Sequence, residues 1–216
     1  MSRMLDIKQA VYSENDILAK SIHEELTSKG IFTVNILGGA GAGKTSSLIE
    51  LIRRLDGITP YVIEGDIESD IDTQTLRNLG VAAYQINTGG NCHLNAPMME
   101  AILKKTAFND KGILFIENIG NLVCPAEFVI GEDIKILICS VPEGSDKPYK
   151  YPTAFQKASA IILTKQDLMP YIPFDYDFFE NGVRALNPDA PIFRTSKTTG
   201  EGFDEAAAWI RSLIQN

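Results

Sequence analysis

The 216-residue sequence has little of what marks several large protein classes. Its three cysteines are few and odd in number, which argues against a disulfide framework and suits a reducing cytosol. No apolar run reaches the ~18 residues that a membrane span requires. The opening stretch, MSRMLDIKQAVYSEND, has no apolar signal core, so the expectation is a cytoplasmic protein without a membrane attachment. Positive charge is also scarce: 20 Lys and Arg face 28 Asp and Glu, a net charge of −8. That balance lacks the electrostatic footprint of a nucleic-acid binder. Internal repeats, low-complexity tracts and long linkers are missing as well. The remaining composition, 44 % hydrophobic and 22 % charged, is that of a folded chain, long enough for one sizeable domain or at most two small ones.

What is present is an alternation of short apolar runs and helix-period segments. Ser13, with Asp16 three residues later, reads as a capping box that opens a first helix through ILAKSIHEEL, ending near Gly30. IFTVNIL, PYVIEG, VAAYQI, GILFIEN, IKILICSV, AIILT and APIFRT read as strands, with helical segments such as TSSLIELIRRL and APMMEAILKKTAF between them. Near-continuous apolar strands alternating with helices predict an α/β fold with a doubly wound, mostly parallel sheet covered on both faces. The expected organisation is an N-terminal helix over 1–30 packed on a domain spanning 31–216. Ligands of such sheets bind at the carboxyl ends of the strands, so the loops there carry the functional reading.

The first such loop is Gly38-Gly39-Ala40-Gly41-Ala42-Gly43-Lys44-Thr45, followed by Ser46. It matches GxxxxGK[ST], directly after one predicted strand and directly before a predicted helix, which is the context the motif requires. Small residues let successive backbone N–H groups turn inward around a polyphosphate, and the helix adds its positive end. Lys44 would reach the β and γ phosphates, and the Thr45 hydroxyl would bind Mg²⁺. A phosphate loop of this kind needs a carboxylate at a neighbouring strand end. GILFIEN supplies Glu117, and Glu117-Asn118-Ile119-Gly120 is similar to the DxxG switch of GTPases, with the Gly120 N–H available to the γ-phosphate. PYVIEG is followed by Asp66, a direct or indirect Mg²⁺ contact, and then by Asp70 and Asp72. Asp70 reads as solvated. Asp72 is equally placed to orient an attacking water or to cap the helix DTQTLRNL.

The base is read further on. Thr164-Lys165-Gln166-Asp167 follows the strand AIIL and is similar to the [NT]KxD motif of GTPases. A carboxylate at Asp167 can accept from guanine N1–H and the exocyclic amine, a donor pair that adenine lacks. The Lys165 stem can lie over the base plane. Ser196-Lys197-Thr198, after APIFRT, is similar to the loop whose backbone N–H meets guanine O6. A separate constellation is Cys92 and His93, adjacent on the loop NTGGNCHLNA, with Cys124 in NLVCP just after the Glu117 switch. Two thiolates and an imidazole suit Ni²⁺ or Zn²⁺, although cysteine is as often a small buried hydrophobe. Cys139, inside IKILICSV, reads as core, and His23 as a lone surface histidine of the first helix.

Together these segments resemble the hydrogenase nickel-incorporation GTPases, the HypB family, from Ile31 to the C-terminus. The most specific parts are GGAGAGKTS, Gly65-Asp66, INTGGNCHL, FIENIGNLVCPAEF and PEGSDKPYKYP. The last contains Lys147 and Lys150 and is similar to a family segment at the dimer face. The resemblance implies a P-loop GTPase of the nucleotide-dependent dimer type, working with GTP, GDP and Mg²⁺. It implies Cys92, His93 and Cys124 as Ni²⁺ or Zn²⁺ ligands and Lys44, Thr45, Asp66 and Glu117 at the phosphates and Mg²⁺, with Asp72 as candidate catalytic acid. Implied partners are a second copy of the chain, other hydrogenase maturation proteins and the precursor of the hydrogenase large subunit. Slow hydrolysis is expected, since no intrinsic glutamine or arginine finger stands out. The chain departs from many members in having no N-terminal CxxGCxC site or histidine-rich stretch, and in Thr164 where Asn is usual. The alternatives are a urease-type nickel accessory GTPase, whose metal motif is Cys-Pro-His, a metal-binding scaffold with a structural nucleotide site, and a small-molecule kinase of P-loop type, against which the paired base-reading motifs argue.

Overall fold

A computed structural model of the chain describes residues 2–66 and 71–215, with side chains at 14–65, 74 and 76–215. Among them, the β-branched runs form β1 (Ile31–Gly38), β2 (Thr59–Asp66), β3 (Ala82–Asn87), β4 (Gly112–Glu117), β5 (Ile134–Ser140), β6 (Ala160–Thr164) and β7 (Ile192–Arg194). The strands make one sheet in the order β3-β2-β4-β1-β5-β6-β7, with every pairing parallel. Helices α1 (Ser2–Ser28), α2 (Lys44–Ile52), α3 (Ile71–Asn78), α4 (Ala96–Leu103), α5 (Cys124–Glu127), α6 (Lys147–Lys150), α7 (Pro152–Lys157), α8 (Tyr176–Leu186) and α9 (Phe203–Ile214) connect or follow them.

Alternation along the central strands explains the layering. In β4, Ile113 and Phe115 point to the face covered by α2 and α9, where Leu48, Leu51, Phe203 and Ile210 are buried. Leu114 and Ile116 point to the other face, against Met99 and Leu103 of α4 and Ala19, Ile22 and Leu26 of α1. On that same face, under β5 and β6, Leu137, Cys139, Ile161 and Leu163 meet Phe155, Phe179 and Val183 of α7 and α8. Cys139 is fully buried there, as its apolar strand predicts, and burial pushes its thiol far up.

One local expectation is corrected, and one of two open alternatives is narrowed. The first helix begins at Ser2 and runs through Ser13, so Ser13 and Asp16 are interior positions and not a capping box. The upstream residues MLDIKQAV contain no Gly or Pro, so nothing stops the helix from propagating past Ser13. Asp72 falls inside the first turn of α3, which starts at Ile71, so it does not occupy the cap position. His23 lies at the surface as expected, its side chain 42 % exposed and its Nδ1 3.7 Å from Asp133 Oδ1. Asp70 and the side chains of Asp66 and Asp72 lie outside the described residues.

Strands covered on both faces should be apolar, yet β1 carries Asn35 and β5 carries Lys135, both buried. A buried ammonium needs acceptors. Lys135 Nζ donates to the carbonyls of Phe128 at 2.7 Å and Ala126 at 3.3 Å, and pairs with Glu132 at 3.3 Å. Desolvation pulls the Lys135 pKa down, and the Glu132 charge works against it. Replacing Lys135 with Met would strand Glu132 as a buried carboxylate and leave two carbonyls unsatisfied. The expected loss is about 3–5 kcal/mol, read as a lower urea midpoint, with partial recovery in Lys135→Met/Glu132→Gln. An unchanged midpoint in the single variant would contradict this account.

Candidate functional site

β1 ends at Gly38, and the chain turns through Gly39–Gly43 into α2. Gly41 (φ +73°) and Gly43 (φ +96°) hold left-handed backbone that a side chain would strain. Lys44 is buried at the start of α2, its Nζ donating to the Gly39 carbonyl at 3.2 Å and the Gly38 carbonyl at 3.4 Å. The ammonium is thus held at the mouth of the loop. The Thr45 hydroxyl donates to Glu117 Oε1 at 3.0 Å, joining the start of α2 to the end of β4. A hydroxyl and a carboxylate this close are a hard-oxygen donor pair of the kind Mg²⁺ takes.

The predicted base-reading residues converge from two strand ends. A cavity of about 320 Å³ is bounded by Gly43 and Ser46 on the phosphate side and by Thr164, Lys165, Asp167, Lys197 and Thr198 on the other. Thr164 grips the phosphate loop directly: its hydroxyl lies 2.6 Å from the Ala42 carbonyl, with the Cys139 carbonyl at 3.2 Å. Thr164, standing where Asn is usual, therefore braces the phosphate loop. Lys165 adopts a left-handed conformation at φ 60°, which costs a non-glycine residue about 1–2 kcal/mol, and its Nζ donates to the Gly41 carbonyl at 2.8 Å. Lys197 Nζ donates to Ser46 Oγ at 3.3 Å. Ser196 is fully buried, its N–H donating to the Glu201 carbonyl at 3.1 Å.

Cys92 and His93, adjacent in sequence, come together with the distant Cys124 at the same edge of the sheet. Their ligand atoms all lie within 4.8 Å of one another, and Cys92 Sγ is 3.4 Å from His93 Nδ1. A tetrahedral ion with Zn–S near 2.3 Å would separate two thiolates by about 3.8 Å, so small side-chain shifts would close the group on one ion. Cys92 is exposed and Cys124 partly so. The Cys124 thiol, by hydrogen bonding, raises the Cys92 pKa, with burial adding to it. Burial lowers the His93 pKa, which favours the neutral ring that a metal needs. The imidazole stacks on Phe128, centroids 4.1 Å apart and planes 25° from parallel.

The two halves touch. Asn121 forms an isolated antiparallel bridge with Gly38, at the root of the phosphate loop. Its side chain donates to the Cys92 carbonyl at 3.3 Å and accepts from the Val123 N–H at 2.9 Å. Gly120 lies against the loop so closely that a Cβ there would come within 3.0 Å of the Ala40 backbone. One segment, Glu117–Cys124, therefore borders both sites.

Known proteins of one family match this chain. Residues 32–194 match the CobW/HypB/UreG nucleotide-binding domain family. The hydrogenase maturation factor HypB of Azotobacter vinelandii is 44 % identical over 97 % of this chain and 69 % of its own length. The chain belongs to the HypB hydrogenase maturation factors. The hydrogenase/urease maturation factor HypB of Helicobacter hepaticus is 37 % identical over 99 % of this chain and 88 % of its own. The crystal structure of HypB from Helicobacter pylori in complex with nickel superposes with a TM-score of 0.88 at 35 % identity, covering 94 % of this chain and 95 % of that one.

Within this HypB chain the structure adds neighbours that motif reading does not supply. Asn121 and Phe128 stand against Cys92 and His93, and Asn118 is buried between the two loops. The sequence signal for Asn118 was its place in a switch-like tetrapeptide, but its partners could not be read from it. Thr164→Val keeps the shape and removes the donor to the Ala42 carbonyl. The expected cost is ~1–3 kcal/mol, seen as a lower melting temperature and a weaker guanine-nucleotide affinity. Unaltered values for both would show that the brace is dispensable.

Proposed function

We propose that this chain is a slow, Mg²⁺-dependent GTPase of the cytoplasm that carries nickel to the precursor of the [NiFe] hydrogenase large subunit. Cys92, His93 and Cys124 hold the ion, and the bound nucleotide sets how tightly. The observation that carries this reading is the Asn121 junction, which bridges Gly38 with its backbone and holds the Cys92 carbonyl with its side chain. Three free cysteines suit a reducing compartment. Nickel is favoured as cargo because the similar Helicobacter pylori structure contains it, while the ligand set by itself also suits Zn²⁺. Three ligands leave a coordination position open, which suits an ion that must be passed on.

In this reading Lys44 neutralises the β and γ phosphates, while the Thr45 hydroxyl, Glu117 and Asp66 hold Mg²⁺, whose charge stabilises the leaving phosphate oxygens. Asp72 is the candidate to orient water. Gly120 offers its N–H to the γ-phosphate, so the Glu117–Cys124 segment senses hydrolysis, and a homodimer is favoured in the GTP state. The resident partners are other hydrogenase maturation proteins and the enzyme precursor. A second reading, service to urease as well, is favoured by the Helicobacter hepaticus relative, whose name includes both enzymes. The adjacent Cys92 and His93 differ from the Cys-Pro-His of the dedicated urease factor.

Two measurements test this reading. Titration of Ni²⁺ and Zn²⁺ into the GDP form and a non-hydrolysable GTP form, with sedimentation in parallel, should give two metal affinities and a larger species with the GTP analogue. Cys92→Ala, His93→Ala and Cys124→Ala should each weaken binding, and Lys44→Ala should abolish turnover. One metal affinity in both nucleotide states would overturn the coupling. The second concerns the base: Asp167→Asn should lose ~1–3 kcal/mol of preference for guanine and gain affinity for xanthine nucleotides. Equal binding of ATP and GTP by the unaltered chain would refute the assignment of Asp167.

A further inference from the structure

Beneath the two loops runs a buried chain of polar side chains that the nucleotide and metal roles above do not use. Asn118 is 1 % exposed, and its Oδ1 accepts from two backbone amides, Leu94 at 3.1 Å and Ile119 at 3.0 Å. Leu94 follows His93 directly, and Ile119 precedes Gly120. Two N–H donors converging on one atom require that atom to be oxygen, which fixes the orientation of the amide. Nδ2 must then face Asn35, and it donates to Asn35 Oδ1 at 3.3 Å. Asn35 passes the polarity on, its Nδ2 donating to Glu132 Oε1 at 3.2 Å. Glu132 also takes the Ile130 N–H at 2.7 Å on Oε2 and the Lys135 ammonium on Oε1. Lys135 closes the chain on the carbonyls of Ala126 and Phe128, at the end of the short helix that begins with Cys124. Each side chain in this run has a partner, and the donors converge on Glu132, from Asn118 and Asn35 on one side and from Lys135 on the other.

A buried hydrogen-bonded network is stiff, because breaking one link strands its partner away from water. This one holds the backbone beside His93, the backbone beside Gly120 and the segment after Cys124 on a single scaffold. We infer that Asn118 is the positioning residue that couples the metal loop to the nucleotide switch. The inference rests on the proposed nickel-binding GTPase reading and names the residue that carries its coupling. A displacement of Ile119 toward or away from the phosphate loop drags the shared acceptor, and Leu94 with it. Asn121 holds the exposed side of the same junction, whereas Asn118 holds the buried side, where no water can substitute for a lost bond.

The test compares Ni²⁺ affinity in the GDP and GTP-analogue forms of the unaltered chain, Asn118→Ala and Asn118→Asp. The readout is the ratio of the two affinities, about 5- to 150-fold for sites coupled in the usual range. Asn118→Ala removes the shared acceptor and should bring the ratio to within about twofold of unity. Asn118→Asp keeps an acceptor for both amides and should retain most of the ratio. Hydrogen exchange on the unaltered chain needs no variant: Ni²⁺ should slow exchange at Ile119 as well as Leu94, and the GTP analogue at Leu94 as well as Ile119. A large ratio that survives in Asn118→Ala, or exchange that changes at one amide alone, overturns the inference and leaves the nickel reading standing. A ratio of one in the unaltered chain overturns the coupling in that reading, and the role of Asn118 with it.

Discussion

The parallel register of β1 with β4, running from Ile31 opposite Gly112 to Ile36 opposite Glu117, sends two chains out of the sheet side by side. One becomes the phosphate loop and the other the Glu117–Cys124 segment. The Asn118 N–H still pairs with the Ile36 carbonyl at 3.0 Å, so the ladder extends one step beyond β4 before the two paths separate. The contacts among Thr45, Glu117, Gly120 and Ala40 follow from that shared exit. On the other side of β1, its pairing with β5 puts Gly38 opposite Ile138. The β5–β6 pairing then puts Thr164 opposite Ser140, within reach of the phosphate loop. The central strand thus delivers its loop between the Glu117–Cys124 segment and the cavity lined by Thr164, Lys165 and Asp167, at the point where the strand order reverses.

Much of this was legible in the sequence because it is local. Near-continuous apolar runs with β-branched residues give strands, and small residues followed by Lys44 and Thr45 give a phosphate loop between a strand and a helix. The strands lie within a residue or two of the expected runs. The gathering of Cys92, His93 and Cys124 was readable less directly, through the rule that loops after parallel strands share one edge. The start of α1 was misread because a capping box is a short pattern that a longer helix can contain by chance, and nothing upstream of Ser13 breaks the helix. The capping alternative for Asp72 failed for a similar reason, since Asp is favoured in the first turn of a helix as well as just before it.

The buried network was the least legible part, for a physical reason. Asn35 inside IFTVNIL announces that a buried amide needs partners, because a strand covered on both faces offers no water. Nothing local says which partners. They come from residues 118 and 132, brought in by strand pairing and by the turn before β5. The same holds for Lys135, whose chemistry demands acceptors while its sequence neighbours Ile134 and Ile136 supply none. Polar residues in apolar runs thus indicate long-range structure without specifying it.

Stiffness below and openness above together decide what the metal loops can do. Leu94 and Asn118 are buried and satisfied, whereas Cys92 is exposed and its carbonyl is held by one long bond from Asn121. A closed four-ligand site would bind its ion as part of the fold, and its affinity would be folding energy. In the proposed reading, three ligands on two loops would leave the affinity for an ion dependent on the distance between the loops. That distance is set by the same backbone that packs Gly120 against Ala40. Any ligand that favours one spacing must therefore change the affinity for the other ligand by an equal factor, as linkage requires. In the proposed reading, a metal held by this group would respond to the nucleotide without touching it.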